Sequence, residues 1–214
     1  MAVVTISREF GSEGNYIGTK VARALGYHFV FKKEIGEVFE QYGIVTFEEI
    51  YESEMNFWSR FDEMKVKIMS FLTKVIQAFA YHGNVVIMGR CGYAILGGLS
   101  DVLHVRIQAP LSLRVKRILK ENIAAPDEIE SLIQEEDKDR AKLLRIFYNA
   151  RWDQANAFDM VINTGKVSLD LAVKWIVEAV KNLEEKKEYA EPNTRMLEVD
   201  PPLSEVISKL LSTH

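Results

Sequence analysis

The chain has 214 residues, 48% hydrophobic and 27% charged, enough for one domain of ordinary size with a sizeable core. Its net charge of −4 argues against binding nucleic acid through a basic face. The single cysteine, Cys91, rules out an internal disulfide and suits a reducing compartment. No apolar run approaches the roughly 18 residues a membrane span needs, and no signal-peptide pattern opens the chain, so a cytoplasmic protein with no membrane partner is expected.

The first element is a short β-branched run, Val3 to Ile6, which reads as a fully buried strand. It breaks into a turn carrying Gly11, Gly14 and Gly18, after which Ile17, Val21, Ala24 and Leu25 fall on one helical face. A strand, a glycine loop and a helix together turn backbone N–H groups and a helix N-terminus toward a phosphate. The match to G-x-x-x-x-G-K-[ST] is partial, because Gly14 stands where the lysine would be. A Gly-rich turn with no ligand is the alternative reading of this stretch alone.

Gly26 stops the first helix, and Tyr27 to Phe31 reads as a second strand. Residues 33–54 suggest short helices around Tyr42-Gly43. From Phe57 the spacing of Phe57, Phe61, Met64, Ile68, Leu72, Val75 and Phe79 predicts a long helix with one apolar face, ended by His82-Gly83-Asn84. Val85 to Met88 is a buried central strand that delivers Gly89-Arg90-Cys91-Gly92 at its carboxyl end, where open α/β sheets bind ligands.

A strand from Val102 to Ile107 leads through Ala109-Pro110 to a basic helix from Leu111 to Leu119. Pro126 is expected to open a long helix carrying Asp137-Lys138-Asp139-Arg140, Lys142, Arg145 and Arg151. A last strand, Phe158 to Ile162, precedes an amphipathic helix from Ser168 to Leu183. Five strands, at 2–7, 27–31, 84–88, 102–107 and 158–163, alternating with helices predict a parallel sheet covered on both faces. The strands ending at Ile6 and Met88 should be neighbours, since both feed loops toward one ligand. The globular part is placed at 1–186. Residues 187–214 then form a linker and a short helix whose stripe, Leu203, Val206, Ile207, Leu210 and Leu211, must pack on this domain or on a second copy in a homodimer.

Four blocks in order resemble the cytidylate kinase-like family: Thr5 to Ser12 with Ile17-Gly18, Gly89-Arg90 followed by Tyr93 to Leu96, Asp137 to Arg140, and Phe158 to Thr164. The resemblance spans residues 2–183. It implies an α/β P-loop kinase fold with a five-stranded parallel sheet, a nucleoside-monophosphate segment and an arginine-bearing lid. It also implies ATP and Mg2+ as cofactors and CMP or dCMP as acceptor. On this resemblance Arg8, Gly11, Ser12, Glu13, Gly14 and Asn15 would hold the ATP phosphates. Arg90, with Phe31, Lys32, Cys91 and Lys138, would bind the acceptor. Arg90, Arg140, Arg145 and Arg151 would carry catalysis, because phosphoryl transfer demands positioning and charge neutralisation and arginine supplies a bidentate fork. No side chain is assigned as a metal ligand.

The chain departs from the family at the lysine position, at Glu13 where glycine is usual, at Asn15 where arginine is common, and at Cys91 and Phe31 where acidic residues would meet cytosine. A thiol and a phenyl ring cannot accept the hydrogen bonds that distinguish cytosine. The alternatives are therefore a P-loop kinase for another small molecule, or a nucleotide-binding sensor without turnover. A dinucleotide enzyme is disfavoured, since the loop is not G-x-G-x-x-G and no acidic residue ends the second strand.

Overall fold

The computed structural model describes residues 1–44, 63–121, 125–185 and 190–212. Its strands are β1 (Val3–Arg8), β2 (His28–Val30), β3 (Val85–Met88), β4 (Val102–Gln108) and β5 (Met160–Asn163). The helices are α1 (Gly14–Leu25), α2 (Lys32–Gln41), α3 (Glu63–His82), α4 (Gly92–Ile95), α5 (Leu111–Glu121), α6 (Ile129–Tyr148), α7 (Leu169–Glu184) and α8 (Pro201–Ser212).

The strands form one parallel sheet in the order β2-β3-β1-β4-β5. β1 pairs with β3 from Val3 opposite Val85 to Ile6 opposite Met88, so the two expected neighbours are neighbours. The chain fills the β3 position after β2 and then crosses β1 to begin β4. The loops after β1 and β3 thus emerge side by side, which is where such sheets bind ligands.

Side chains alternate across the pleat. Val4, Ile6, Val86, Met88, Val105 and Ile107 join Ile17, Val21, Ile176 and Val180 of α1 and α7 in one core. Val3, Val85 and Ile87 face the other way, into a core built with Phe39, Leu72, Phe79, Leu144 and Ile207. On that second face the strands change character toward their carboxyl ends. Thr5, Ser7, His104 and Arg106 are buried there, and they floor the cleft described below.

Several boundaries differ from expectation. β2 keeps only three residues because Phe31 already caps α2, whose Glu34 accepts the Phe31 N–H at 2.9 Å. β5 begins at Met160, after a 3-10 turn over Ala155–Ala157. α6 starts at Ile129 rather than Pro126, after a turn. On α3, Ile68, Leu72, Val75 and Phe79 are buried as expected, but Met64 is exposed in the first turn. Phe57, Phe61 and the predicted short helices beyond Ile44 lie outside the described residues.

The tail packs on the same chain. Leu203, Ile207 and Leu210 of α8 are buried against α3 and α2. His82 Nε2 lies 3.0 Å from Ser204 Oγ. Ahead of α8, Thr194 is held by both carboxylate oxygens of Asp101, its N–H donating to Oδ1 at 2.9 Å. Among the described residues no helix is long and apolar enough to cross a membrane.

Candidate active site

A cleft of about 590 Å3 opens over the carboxyl ends of β1 and β3. Its first wall is the turn from Glu9 to Gly14. Gly11 takes φ +75° and Glu13 φ +68°, left-handed values that fold the chain back so that α1 begins at Gly14. The α1 N-terminus therefore faces the cleft, with its unsatisfied N–H groups and the positive end of its dipole. Ser12 is fully buried, and its hydroxyl donates to the Glu9 carbonyl at 2.8 Å. From outside, Thr164 Oγ1 donates to the Ser12 carbonyl at 3.0 Å, and Arg117 Nη1 donates to Thr164 Oγ1 at 2.9 Å. Arg117 Nε also lies 3.9 Å from Glu13 Oε1. That contact offsets the charge that would otherwise oppose an anion at the loop.

Glu9 is turned away from the helix terminus and fastens the loop to β4 and α5. Its carboxylate lies 3.4 Å from Arg106 Nη2 and 3.6 Å from Arg114 Nε, and accepts the Ala109 N–H at 3.0 Å. Arg114 in turn pairs with Asp137 of α6, which also accepts the Phe10 N–H at 2.9 Å. Arg140 closes the chain of charges. It pairs with Asp137 at 3.3 Å and with Glu136 at 2.6 Å, and it lies over the Phe10 ring at 5.5 Å. α6 is thus tied to the Glu9–Gly14 turn through its own acidic residues.

The second wall is the Gly89-Arg90-Cys91 turn, in which all three residues are left-handed, at φ +66°, +46° and +61°. Arg90 is 7% exposed and lines the cleft. Between the two loops runs the Arg8 side chain. It donates to Asn15 Oδ1 at 3.3 Å, lies 5.3 Å from the Phe31 ring centroid and abuts Gly89.

Beyond Arg90 the cleft is lined by Cys91, Tyr93, Leu143, Leu144 and Trp152. Trp152 Nε1 donates to Ser7 Oγ at 2.8 Å, and Arg106 stacks on the indole at 4.4 Å while donating to the Trp152 carbonyl. The Tyr93 ring packs on Phe158 at 4.5 Å, and burial, reinforced by the neighbouring Cys91, pushes the phenol up to about 12. Beneath, the His104 ring meets Thr5 Oγ1 at 2.7 Å, and burial lowers its pKa. The site therefore has a helix N-terminus on one side, a buried arginine in the loop after β3, and a ring-lined compartment beyond.

A profile of the cytidylate kinase-like family matches residues 3–166, from β1 to just past β5, and so spans every element that builds the cleft. The chain belongs to the cytidylate kinase-like family. A cytidylate kinase from Methanocaldococcus jannaschii is 29% identical over 129 residues, 59% of this chain and 72% of that protein. One from Ignicoccus hospitalis is 29% identical over 180 residues, covering 82% and 97%. The structure of shikimate kinase from Acinetobacter baumannii, solved in complex with shikimate, superposes with a TM-score of 0.51 at 17% identity, covering 85% of this chain and 94% of that one. The architecture is that of the P-loop kinases.

In this member of the cytidylate kinase-like family, the cleft brings together Arg8, Gly11, Ser12, Glu13, Gly14, Asn15, Phe31, Lys32, Arg90, Cys91 and Arg140. Lys138, Arg145 and Arg151 do not line it. Glu136, Asp139, Arg140, Leu143 and Leu144 share the cleft face of α6 at helical spacing, which turns Lys138 and Arg145 to solvent. Arg151 lies past the end of α6 and pairs in solvent with Asp153, Nη2 to Oδ2 3.0 Å. Reading α6 as a charged segment, without assigning a face to each cation, put these three in the site.

Sequence reading missed the residues behind the site: Glu9, Arg106, Arg114, Arg117, Tyr93 and Trp152. One signal was available. A strand that is apolar on both flanks yet carries His104 and Arg106 at alternate positions must satisfy those groups inside the protein.

Proposed function

We propose that this protein transfers the γ-phosphoryl group of ATP to a nucleoside monophosphate, with CMP as the reference acceptor. The observation that carries this reading is one cleft shared by the α1 N-terminus and by Arg90, delivered by adjacent parallel strands. The donor phosphates fit the Gly11–Gly14 turn, where the N–H groups of the α1 N-terminus offer donors. The acceptor phosphate fits Arg90 and Arg140, whose planar guanidinium groups match phosphate oxygens. Mg2+ would be held chiefly through phosphate oxygens and water, its usual mode in kinases.

In the reaction an acceptor phosphate oxygen bonds to the γ-phosphorus. The bond from that phosphorus to the β,γ-bridging oxygen breaks, and the electron pair leaves with ADP. The chain's part is to align the two oxygens, neutralise charge and exclude water. No protein nucleophile is required. A second reading, a different small-molecule acceptor, is favoured by Cys91, Tyr93 and Trp152 in the compartment where the acceptor ring would lie.

The test is ADP release from MgATP, measured with CMP, dCMP, UMP, AMP and GMP in turn. Turnover with CMP or dCMP supports the first reading. Turnover with another monophosphate transfers the assignment to that acceptor. ATP binding without turnover on any of them leaves a nucleotide sensor.

A further inference from the structure

The lysine that a phosphate loop normally carries is replaced here by Gly14, and the structure shows what fills its space. A Cβ built on Gly14 would collide with Arg8 Cβ and come within 2.7 Å of Arg8 Cγ. Any side chain at position 14 would therefore displace the arginine. A Cβ on Gly89 would likewise strike the Arg8 guanidinium. Arg8 runs through a slot kept open by two glycines, from the end of β1 at the donor loop to the start of the Arg90 loop.

Two further contacts fix its head. Asn15 Oδ1 accepts from Nε at 3.3 Å, and the Phe31 ring lies beside the guanidinium at 5.3 Å. A phenyl face attracts a cation.

We propose that Arg8 is the catalytic cation of this enzyme and that Arg8 and Gly14 are a reciprocal exchange for the usual glycine and lysine. This assignment rests on the kinase reading above. The guanidinium enters from the strand side of the loop, where the lysine would enter from the helix side. Both reach the junction between the donor loop and the acceptor arginine. There Arg8 neutralises oxygens of the phosphoryl group in transit, and its fork contacts two of them where an ammonium supplies one point charge. Loss of the lysine is then no argument against turnover. Gly14 is also a requirement of the arrangement, since it admits Arg8.

The exchange is tested by titrating MgATP and MgADP into wild type, Arg8→Ala, Gly14→Ala, Gly14→Lys and the double variant Arg8→Gly with Gly14→Lys, with melting temperatures alongside. Arg8→Ala should keep its melting temperature and lose at least about tenfold of the preference for ATP over ADP, because only ATP carries the contacted phosphoryl. Gly14→Ala should lose a similar factor, since its methyl group displaces Arg8. Gly14→Lys alone should melt lower than the double variant, which relieves the collision and should recover part of the ATP preference.

An unchanged ATP preference in Arg8→Ala overturns the assignment, as does Gly14→Lys that melts like wild type and binds ATP equally well. If the double variant does not fold, Arg8→Ala decides alone. Wild-type protein that binds no MgATP and releases no ADP would instead remove the kinase reading itself. Wild type that binds ATP while Arg8→Ala behaves identically removes only the role of Arg8.

Discussion

Tyr93 buries its phenol oxygen in the cleft wall with no hydrogen-bond partner among the described residues. Burying a hydroxyl without a partner costs free energy, so removing it should not destabilise the fold. Tyr93→Phe is expected to melt at or slightly above the wild-type temperature. A simultaneous fall in acceptor turnover would show that the hydroxyl donates to the acceptor. Two residues before Cys91, Gly89 follows β3 and leads into Arg90, which makes the complementary case. Arg90→Ala should weaken acceptor binding or turnover by at least about tenfold, roughly 1.4 kcal/mol, with Arg90→Lys intermediate because it keeps charge and loses the fork. A large fall in melting temperature with unchanged kinetics would make Arg90 structural. His104 gives a pH dependence. Its pKa is lowered by burial, so the unfolded chain binds the proton more readily. The stability this confers is complete above the unfolded value of about 6.5 and declines as pH falls below it. Urea midpoints measured from pH 7.5 to 5 should fall more steeply for wild type than for His104→Gln.

At the scale of elements, the critical joint is between α6 and the phosphate loop. Asp137 joins Arg114, Arg140 and the Phe10 N–H at one point. Asp137→Ala would leave Arg114 with Glu9 as its carboxylate partner, at 3.6 Å, and the Phe10 N–H without its acceptor, at a cost of about 1–3 kcal/mol for the orphaned donor. The variant is expected to melt lower, and Arg140 to keep only Glu136 and the Phe10 ring, so ADP release should fall further than stability alone accounts for. Equal melting temperatures would dismiss the joint. This element also marks where sequence reading stops. The helix and its Asp137 to Arg140 block were identifiable, because charge density and helical spacing are local properties. Which cations face the cleft was not, because the 100° step of the helix is anchored only by the burial of Ile133, Leu143 and Leu144 against distant partners. Lys138 and Arg145 lie on the solvent side of α6 and Arg151 beyond its end. The glycine turn after β1 and the Gly89-Arg90 corner were found, since strand-end glycines are a local signal with a local cause.

Across the whole molecule, five parallel strands in one sheet were foreseeable from buried runs alternating with helices. The polar floor formed by Thr5, Ser7, His104 and Arg106 was not, because it depends on which strands lie adjacent. The tail was foreseen only as something that must pack. It packs on its own domain, with Leu203, Ile207 and Leu210 buried and Thr194 fastened to Asp101. Full burial of each such side chain contributes about 1.5–3 kcal/mol, so loss of three is comparable with the total stability of an ordinary domain, about 5–15 kcal/mol. Deleting residues 190–214 should therefore lower the melting temperature sharply or prevent folding, and an unchanged melting temperature would show the tail to be dispensable.

The left-handed turn at Gly89, Arg90 and Cys91 has a consequence for how this protein would respond to selection. Residues with a Cβ pay roughly 1–2 kcal/mol to adopt that backbone shape, and glycine does not. Selection for heat resistance alone should therefore favour glycine at positions 90 and 91. Selection for turnover should retain Arg90 whatever the strain. A library passed through both screens in parallel would diverge at this corner, and position 91 would report whether the thiol is kept for its chemistry or merely tolerated.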